Sequence, residues 1–302
     1  RVDGHGVNHW KNLTGSVAAP LLIGCDFSSS PTRRKPIVLA IGNAHFGTTG
    51  GDVTLLKIER FDTLPAWAAY LGRLPPWLGG FDLPFGLPRE LVRWLGWPPT
   101  WLACLLHYAS LSRPEIRSAF KRFCDARPAG QKFAHRATDL PAGSSPSMKW
   151  VNPPVAYMMH AGVPLLLKAG VSFPGLHLTG SDHLALEAYP GLLIRELIGR
   201  QSYKSDTKAK QTAERQAARA SAVQGLESCQ SRLGLALRLS ADQRAALVDD
   251  ASGDSLDAVA CLVQAAWAAQ RANQGDPRYG WPADVDPLEG WILTAGASAR
   301  TR

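Results

Sequence analysis

The sequence lacks any long apolar run and any closely spaced pair of cysteines. No stretch approaches the roughly 18 consecutive apolar residues that indicate a transmembrane helix, so we expect no membrane span. The five cysteines lie far apart and form no CxxC motif, which argues against a disulfide framework and a zinc site. Isolated cysteines in apolar surroundings are typical of buried thiols in a reducing compartment, so the expected location is cytoplasmic.

The glycine-rich loops that commonly hold phosphate groups are also missing. The sequence contains neither GxxxxGK[ST] nor GxGxxG, which argues against a P-loop nucleotide site and a dinucleotide site. The histidines show no metal-ligand spacing, and the serines at 28–30 have no obvious base partner. Neither a histidine-based metal site nor a serine nucleophile is therefore indicated.

The composition is that of a folded, basic protein. The chain has 302 residues, of which 45% are hydrophobic and 19% charged, enough to bury a sizeable core in one large or two ordinary domains. Its 33 basic and 25 acidic side chains give a net charge of +8. A balance of this kind suits a polyanionic partner such as nucleic acid, although solubility alone would also explain it.

Apolar segments predict an α/β protein that begins with three strands. The segments 21–27, 37–42 and 53–61 follow one another closely, which favours an antiparallel meander. Short strands are also expected at 79–83, 183–188 and 289–294. Helices are predicted at 65–74, 88–94, 101–111, 114–125, 155–169, 190–197, 241–250 and 254–272, with a charged helical pair over 203–238.

Changes in composition along the chain suggest its domain organisation. Residues 1–19 are polar and glycine-rich and are expected to form a loose tail. Residues 20–98 and 181–296 form the expected α/β core, which carries a helical segment at 199–245. Residues 99–180 are rich in proline, arginine and aromatics, and we interpret them as an inserted, mostly helical subdomain.

Carboxylates occupy the ends of three predicted strands and the start of one predicted helix. Asp26, Asp82 and Glu187 end strands, while Asp254 and Asp257 lie in the first turn of an apolar helix. If these strands are neighbours, the acids converge at one edge of the sheet, where their repulsion calls for a cation. Oxygen ligands suit Mg²⁺ or Mn²⁺, and two such ions about 3.5–4 Å apart can promote phosphodiester hydrolysis.

Each acid also has an ordinary structural explanation. The two strand-end aspartates can cap turns, and Glu187 can pair with Arg195. Asp254 and Asp257 fit the start of a helix, where negative charge is favourable. Asp250 would share a helix face with these two residues only if the helix continued through Gly253.

The order of four short motifs resembles the domain-of-unknown-function family 429. The motifs are Gly24-Cys25-Asp26, Gly80-Phe81-Asp82-Leu83-Pro84-Phe85-Gly86, Glu187-Ala188-Tyr189-Pro190-Gly191 and Asp254-Ser255-Leu256-Asp257-Ala258. The resemblance spans roughly residues 20–295, with no clear counterpart for 99–180.

Members of that family are regarded as predicted nucleases of RNase H-like fold. The resemblance implies a mixed five-stranded sheet with a three-stranded antiparallel portion, flanked by helices. It also implies that Asp26, Asp82, Glu187 and Asp257 are catalytic metal ligands, and Asp254 is a further candidate ligand beside them.

Two basic runs are candidate contacts for nucleic-acid phosphates. Arg113, Arg117 and Lys121 recur every four residues, which places them on one helix face. The second run contains Lys204, Lys208 and Lys210, of which one or more could offset charge on a scissile phosphate. A solvated helix face is the ordinary alternative for such runs.

These features together predict a nuclease that depends on Mg²⁺ or Mn²⁺ and hydrolyses phosphodiester bonds of DNA or RNA. The first alternative is a non-catalytic nucleic-acid-binding module of the same fold. The second is a phosphotransferase of the related actin and sugar-kinase architecture, which also places an aspartate at the end of its first strand. That alternative requires an ATP site, for which the sequence shows no convincing phosphate loop.

Overall fold

A computed structural model describes residues 20–48 and 50–296 and shows a mixed sheet flanked by helices. The predicted tail at 1–19 lies outside the described residues. The strands are β1 Leu21–Asp26, β2 Ile37–Phe46, β3 Gly51–Phe61, β4 Trp77–Asp82, β5 His183–Glu187 and β6 Leu235–Arg238. The α/β class and the mixed sheet are confirmed, but the sheet has six strands in these residues, not five.

Ten α-helices accompany the sheet in the described part of the chain. They are α1 Leu64–Arg73, α2 Arg89–Leu95, α3 Trp101–Ser110, α4 Arg113–Asp125, α5 Asp139–Ala142, α6 Val155–Lys168, α7 Pro190–Ile198, α8 Ala213–Glu227, α9 Ala241–Asp249 and α10 Asp254–Asn273. A short 3₁₀ turn covers Lys208–Lys210. Most of the predicted helices are confirmed to within one or two residues, with α4 and α9 closed at their start by capping boxes.

The strand order is β5-β4-β1-β2-β3-β6. β1, β2 and β3 form the predicted antiparallel meander, while β4 and β5 run parallel to β1 on its other side. β4 therefore ends beside the end of β1, so that Asp82 lies opposite Asp26 in the register. This edge of the sheet collects the acids at the carboxyl ends of neighbouring strands, where ligands commonly bind in α/β proteins.

Two hydrophobic cores cover the two faces of the sheet. One packs α1, α2, α3, α4 and α6 against the sheet around Trp67, Phe81 and Phe120. The other packs α7, α8 and α10 around Leu22, Leu186 and Leu262. The helices from 99–180 thus share a core with one face of the sheet, and α10 is buried along most of its length on the other.

The structure corrects the prediction at two places. Residues 235–238 belong to β6, not to a helical pair, and pair in parallel with Gly51–Thr54 at the outer edge of β3. Leucine and alanine favour helices, but burial of Leu235 and Leu237 against the second core overrides that preference. Residues 289–294 form turns instead of a strand, with positive φ at Gly290 and Thr294.

The thiols behave as the sequence indicates. All five cysteines are free, and all except Cys229 are buried.

Within the described residues no helix combines the length and the apolar character that crossing a bilayer requires.

Candidate metal centre

Two glycines allow α10 to lie directly on β1 and β4. A Cβ atom at Gly24 would stand 1.9 Å from the Ala258 carbonyl oxygen, and one at Gly80 would stand 2.7 Å from the Cys261 carbonyl oxygen. The helix backbone therefore occupies the space that side chains would otherwise fill. Side chains two residues apart point to the same face of a strand, so Asp26 and Asp82 also face α10.

The carboxylates of Asp26 and Asp82 lie side by side at the ends of β1 and β4. The two residues are paired in the parallel register of β1 and β4. Among the described residues, neither carboxylate receives a hydrogen bond or forms an ion pair. Burial raises the pKa of Asp82 to about 7, with the Asp257 charge adding to the effect. Burial and then the Asp257 charge raise the pKa of Asp26 well above its usual range.

Asp257 comes to the same place from the first turn of α10 and is fully buried. The Tyr203 hydroxyl donates a hydrogen bond of 2.6 Å to its Oδ1, and the Lys204 ammonium bonds to its Oδ2. Burial alone would lower the pKa of Lys204, but Asp257, Tyr203 and Asp26 hold it well above its usual value. Asp26, Asp82 and Asp257 thus form an acidic cluster, and the Lys204 ammonium faces it.

Asp254 lies at the start of α10, almost completely buried, and faces a second lysine. Its Oδ1 is 3.1 Å from Lys35 Nζ, which also bonds to Asp206 at 2.8 Å. The other oxygen, Oδ2, is buried and has no hydrogen-bond partner in the described part of the chain. The Asp254 charge raises the pKa of Asp26, which places both residues in one electrostatic cluster.

Asp250 does not belong to this cluster, because α9 ends before it and Gly253 starts α10 with φ of 76°. Its carboxylate instead accepts hydrogen bonds from Ser252 and Ser255 and pairs with Arg60. Burial alone would raise the pKa of Asp250, but these hydrogen bonds and the Arg60 charge hold it at about 2. It thus closes the turn between two helices.

Glu187 ends β5 beside the cluster but is held by an arginine. Its partner in the register is Phe81, so it faces the sheet surface opposite to α10. The Arg136 guanidinium donates to both Glu187 oxygens, at 2.8 and 2.7 Å, and Phe85 N–H donates at 2.9 Å. Burial still raises the pKa of Glu187.

Arg136 is in turn shared between two carboxylates. It donates to Asp139 Oδ1 through Nε and through a terminal nitrogen, at 3.1 and 2.9 Å, and the side chains of both residues are buried. A small cavity of about 80 Å³ borders Asp82, Arg136, Glu187 and Tyr189. Glu187 therefore touches the same pocket as Asp82, while its own charge is already paired.

The predicted nucleic-acid contacts divide between two surfaces. Arg113 and Arg117 are exposed on α4, and Arg113 donates to the Ser29 carbonyl oxygen at 3.0 Å, just after Asp26 in the chain. Lys121 pairs with Asp125 on its own helix. Lys208 and Lys210 are exposed on the 3₁₀ turn. Of the six predicted residues, Lys204 alone touches an acid of the cluster.

The donor chemistry fits a hard divalent cation in part. The cluster offers only carboxylate oxygens, and two of its members, Asp26 and Asp82, are free to accept a cation. In their present arrangement, however, the described residues contain no group of three or more His, Cys, Asp or Glu side chains positioned to hold an ion. The Lys204 ammonium already occupies Asp257.

Three residues around the cluster were not singled out from the sequence. Tyr203 orients Asp257, Lys35 faces Asp254, and Arg136 binds Glu187. Arg136 lies in a basic part of the chain, among exposed basic residues such as Lys132. An indication was its spacing of three residues from Asp139, which is typical of a local ion pair.

Comparison of the chain with protein-family models, with curated proteins and with solved structures finds no match.

Proposed function

We propose that the protein is a nuclease that uses Mg²⁺ or Mn²⁺ to hydrolyse phosphodiester bonds of nucleic acid. Asp26, Asp82 and Asp257 would hold the cation, with Asp254 beside them. The proposal fits the net charge of +8, since a basic protein with a local acidic cluster combines attraction for a polyanion with a cation site.

The observation that carries the proposal is the pair of carboxylates at the ends of β1 and β4, for which the described residues provide no hydrogen-bond or ion-pair partner. Asp26 is buried and Asp82 is partly buried. Placing two adjacent acids there without a donor is costly, since structural carboxylates are normally hydrogen-bonded or paired. Two glycines and a buried helix are needed to build this arrangement. A cation bound by these acids would offset the repulsion between their negative charges. Cation binding is therefore a functional reason for the arrangement.

The arrangement of β1 to β5 supports the RNase H-like fold that this proposal assumes. In the order β3-β2-β1-β4-β5, three antiparallel strands are followed by two parallel ones. This is the mixed five-stranded pattern that the motif resemblance implies. On this proposal, β6 is an addition at the outer edge of β3.

The chain's own residues would have distinct roles. A bound divalent cation would supply an activated water and offset negative charge on the scissile phosphate. Asp26, Asp82 and Asp257 would hold the cation, and Tyr203 would keep Asp257 in place through its hydrogen bond. Lys204 would exchange its bond with Asp257 for a phosphate oxygen as the substrate arrives. Glu187 would keep Arg136 at the pocket wall or, if released, add a further ligand.

A cleavage assay tests the proposal directly. Purified protein is incubated with single- and double-stranded DNA, RNA and their hybrid, in Mg²⁺, Mn²⁺ or EDTA. We expect metal-dependent cleavage that Asp26→Asn reduces by more than about 100-fold, since even indirect partners of metal ligands typically contribute about 10–100-fold. Asp52→Asn is the matched control, because Asp52 lies at the opposite end of the sheet and pairs with Arg238. Equal cleavage by the wild type and Asp26→Asn, or none on any substrate, would contradict the proposal.

A second candidate is a nucleic-acid-binding module without catalysis. The observation in its favour is the Lys204 ammonium on Asp257, which neutralises part of the cluster without a metal. This candidate predicts salt-dependent binding that needs no metal and survives Asp26→Asn. Binding of that kind, together with no cleavage in any metal, would favour it over the nuclease.

A further inference from the structure

A basic cleft lies directly beside the acidic cluster. It has a volume of about 550 Å³ and runs along the segment after α7, from Gly199 to Lys204, with Arg195 and Gly143 on its other wall. Its volume lies within the range of typical ligand sites, roughly 300–1,000 Å³. Lys204 belongs to both sites, since it lines the cleft while its ammonium bonds to Asp257.

Among the described residues that line this cleft, three carry a positive charge and none is acidic. Arg195 is held in place, because it donates to the Ala142 carbonyl oxygen at 2.7 Å and to the Tyr189 hydroxyl at 3.1 Å. Neither partner is charged, so its positive charge is not neutralised by these bonds. Arg200 is exposed and forms no ion pair with any described residue. Gln201 and Ser202 add polar groups between the cations.

The cleft carries positive charge, whereas the neighbouring acidic cluster carries negative charge. The acidic cluster repels a phosphate unless a cation is present, whereas the cleft attracts one without any metal. A strand whose phosphate reached the carboxylates would pass Lys204, and its next phosphates would meet Arg200 and Arg195. Arginine is well suited to this contact, because its planar guanidinium can bind two phosphate oxygens at once.

We propose that the cleft lined by Arg195, Arg200 and Lys204 binds the phosphodiester backbone of the nucleic-acid strand that flanks the scissile phosphate. This inference rests on the proposed function for the position of the scissile bond, but binding in the cleft requires neither metal nor cleavage. The ordinary alternative is that Arg195 and Arg200 only offset the negative end of the α7 dipole.

Binding is measured by fluorescence anisotropy in EDTA with labelled single-stranded and duplex 16-mers. The variants are Arg200→Ala and Ser202→Glu, which change the cleft without removing a hydrogen bond that the structure shows. Arg73→Ala is the matched control for the first, because Arg73 is an exposed arginine at the end of α1. We expect each cleft variant to weaken binding by about fivefold or more at low salt and Arg200→Ala to reduce the salt slope by about 0.7–0.9.

The outcomes separate the cleft from the catalytic proposal. Weaker binding in the cleft variants, with Arg73→Ala unchanged, supports the inference, and the preferred probe shows whether the flanking strand is single or paired. Binding equal to that of the wild type overturns it, as does an equal loss in Arg73→Ala. A loss of thermal stability without a loss of binding also overturns it and assigns the arginines to the helix dipole. The nuclease proposal fails separately, when Asp26→Asn cleaves like the wild type.

Discussion

Replacing Asp82 with asparagine should make the metal-free protein more stable at pH 8. Burial and the Asp257 charge raise the pKa of Asp82 to about 7, whereas an unfolded chain would have about 3.9. A carboxyl whose pKa is raised in the folded state stabilises the fold at low pH. That stability is lost as the pH rises from about 4 to about 7, because the folded chain must release a proton that it binds more tightly.

The size of the effect follows from the same difference in pKa. About three pH units at 1.36 kcal/mol each give an upper limit of roughly 4 kcal/mol for the cost of ionising Asp82. Local relaxation and water near the exposed side of the site reduce this, so we expect a gain of about 1–3 kcal/mol for Asp82→Asn. In a chain of 302 residues the melting temperature should rise by about 2–5 °C.

Urea denaturation and thermal melting at pH 5 and pH 8 in EDTA provide the assay. The gain should be clear at pH 8 and shrink towards pH 5, where the wild-type carboxyl is protonated. Mg²⁺ at pH 8 should stabilise the wild type, by binding the folded state, but should stabilise Asp82→Asn much less. Asp52→Asn should lose no more than about 1 kcal/mol, as expected for an exposed ion pair. An Asp82→Asn variant that is less stable than the wild type at pH 8 would refute the electrostatic argument.

Three further predictions follow from the packing. Arg136→Ala should destabilise the protein by about 3–5 kcal/mol in urea, because it leaves two buried carboxylates unpaired; a loss below about 1 kcal/mol would contradict this. Gly24→Ala should prevent α10 from docking and give insoluble or strongly destabilised protein, whereas Gly72→Ala, with open space around it, should be neutral or stabilising by up to about 1 kcal/mol. A thiol reagent should modify Cys229 alone in the native protein and all five cysteines in denaturant; rapid reaction of a second thiol would contradict the packing.

The positions of Asp26 and Asp82 could be predicted because the residues that determine them lie next to them in the sequence. Gly24 and Gly80 each precede an aspartate by two residues at the end of an apolar run, so the gap that admits a helix and the acid beside it share one strand face. The start of α10 could be predicted as well, because Asp254 and Asp257 lie at the beginning of a long apolar segment. These local patterns were enough for the core of the cluster.

The placement of Glu187 could not be predicted from the same pattern. A strand alternates between two faces, and only the register of β5 against β4 shows that Glu187 lies beside Phe81 instead of Asp82. Its partner Arg136 comes from a separate loop 51 residues earlier in the chain. Similarly, β6 is a strand because of its place beside β3 and not because of its residues.

The metal centre is tested most directly by a crystal of the wild-type protein soaked in Mn²⁺ and measured for anomalous scattering. We expect an ion bound by both Asp26 and Asp82, with Asp257 at the same site, and no such ion in Asp26→Asn crystals. An acidic cluster without an ion at saturating Mn²⁺, or an ion that contacts neither Asp26 nor Asp82, would contradict it.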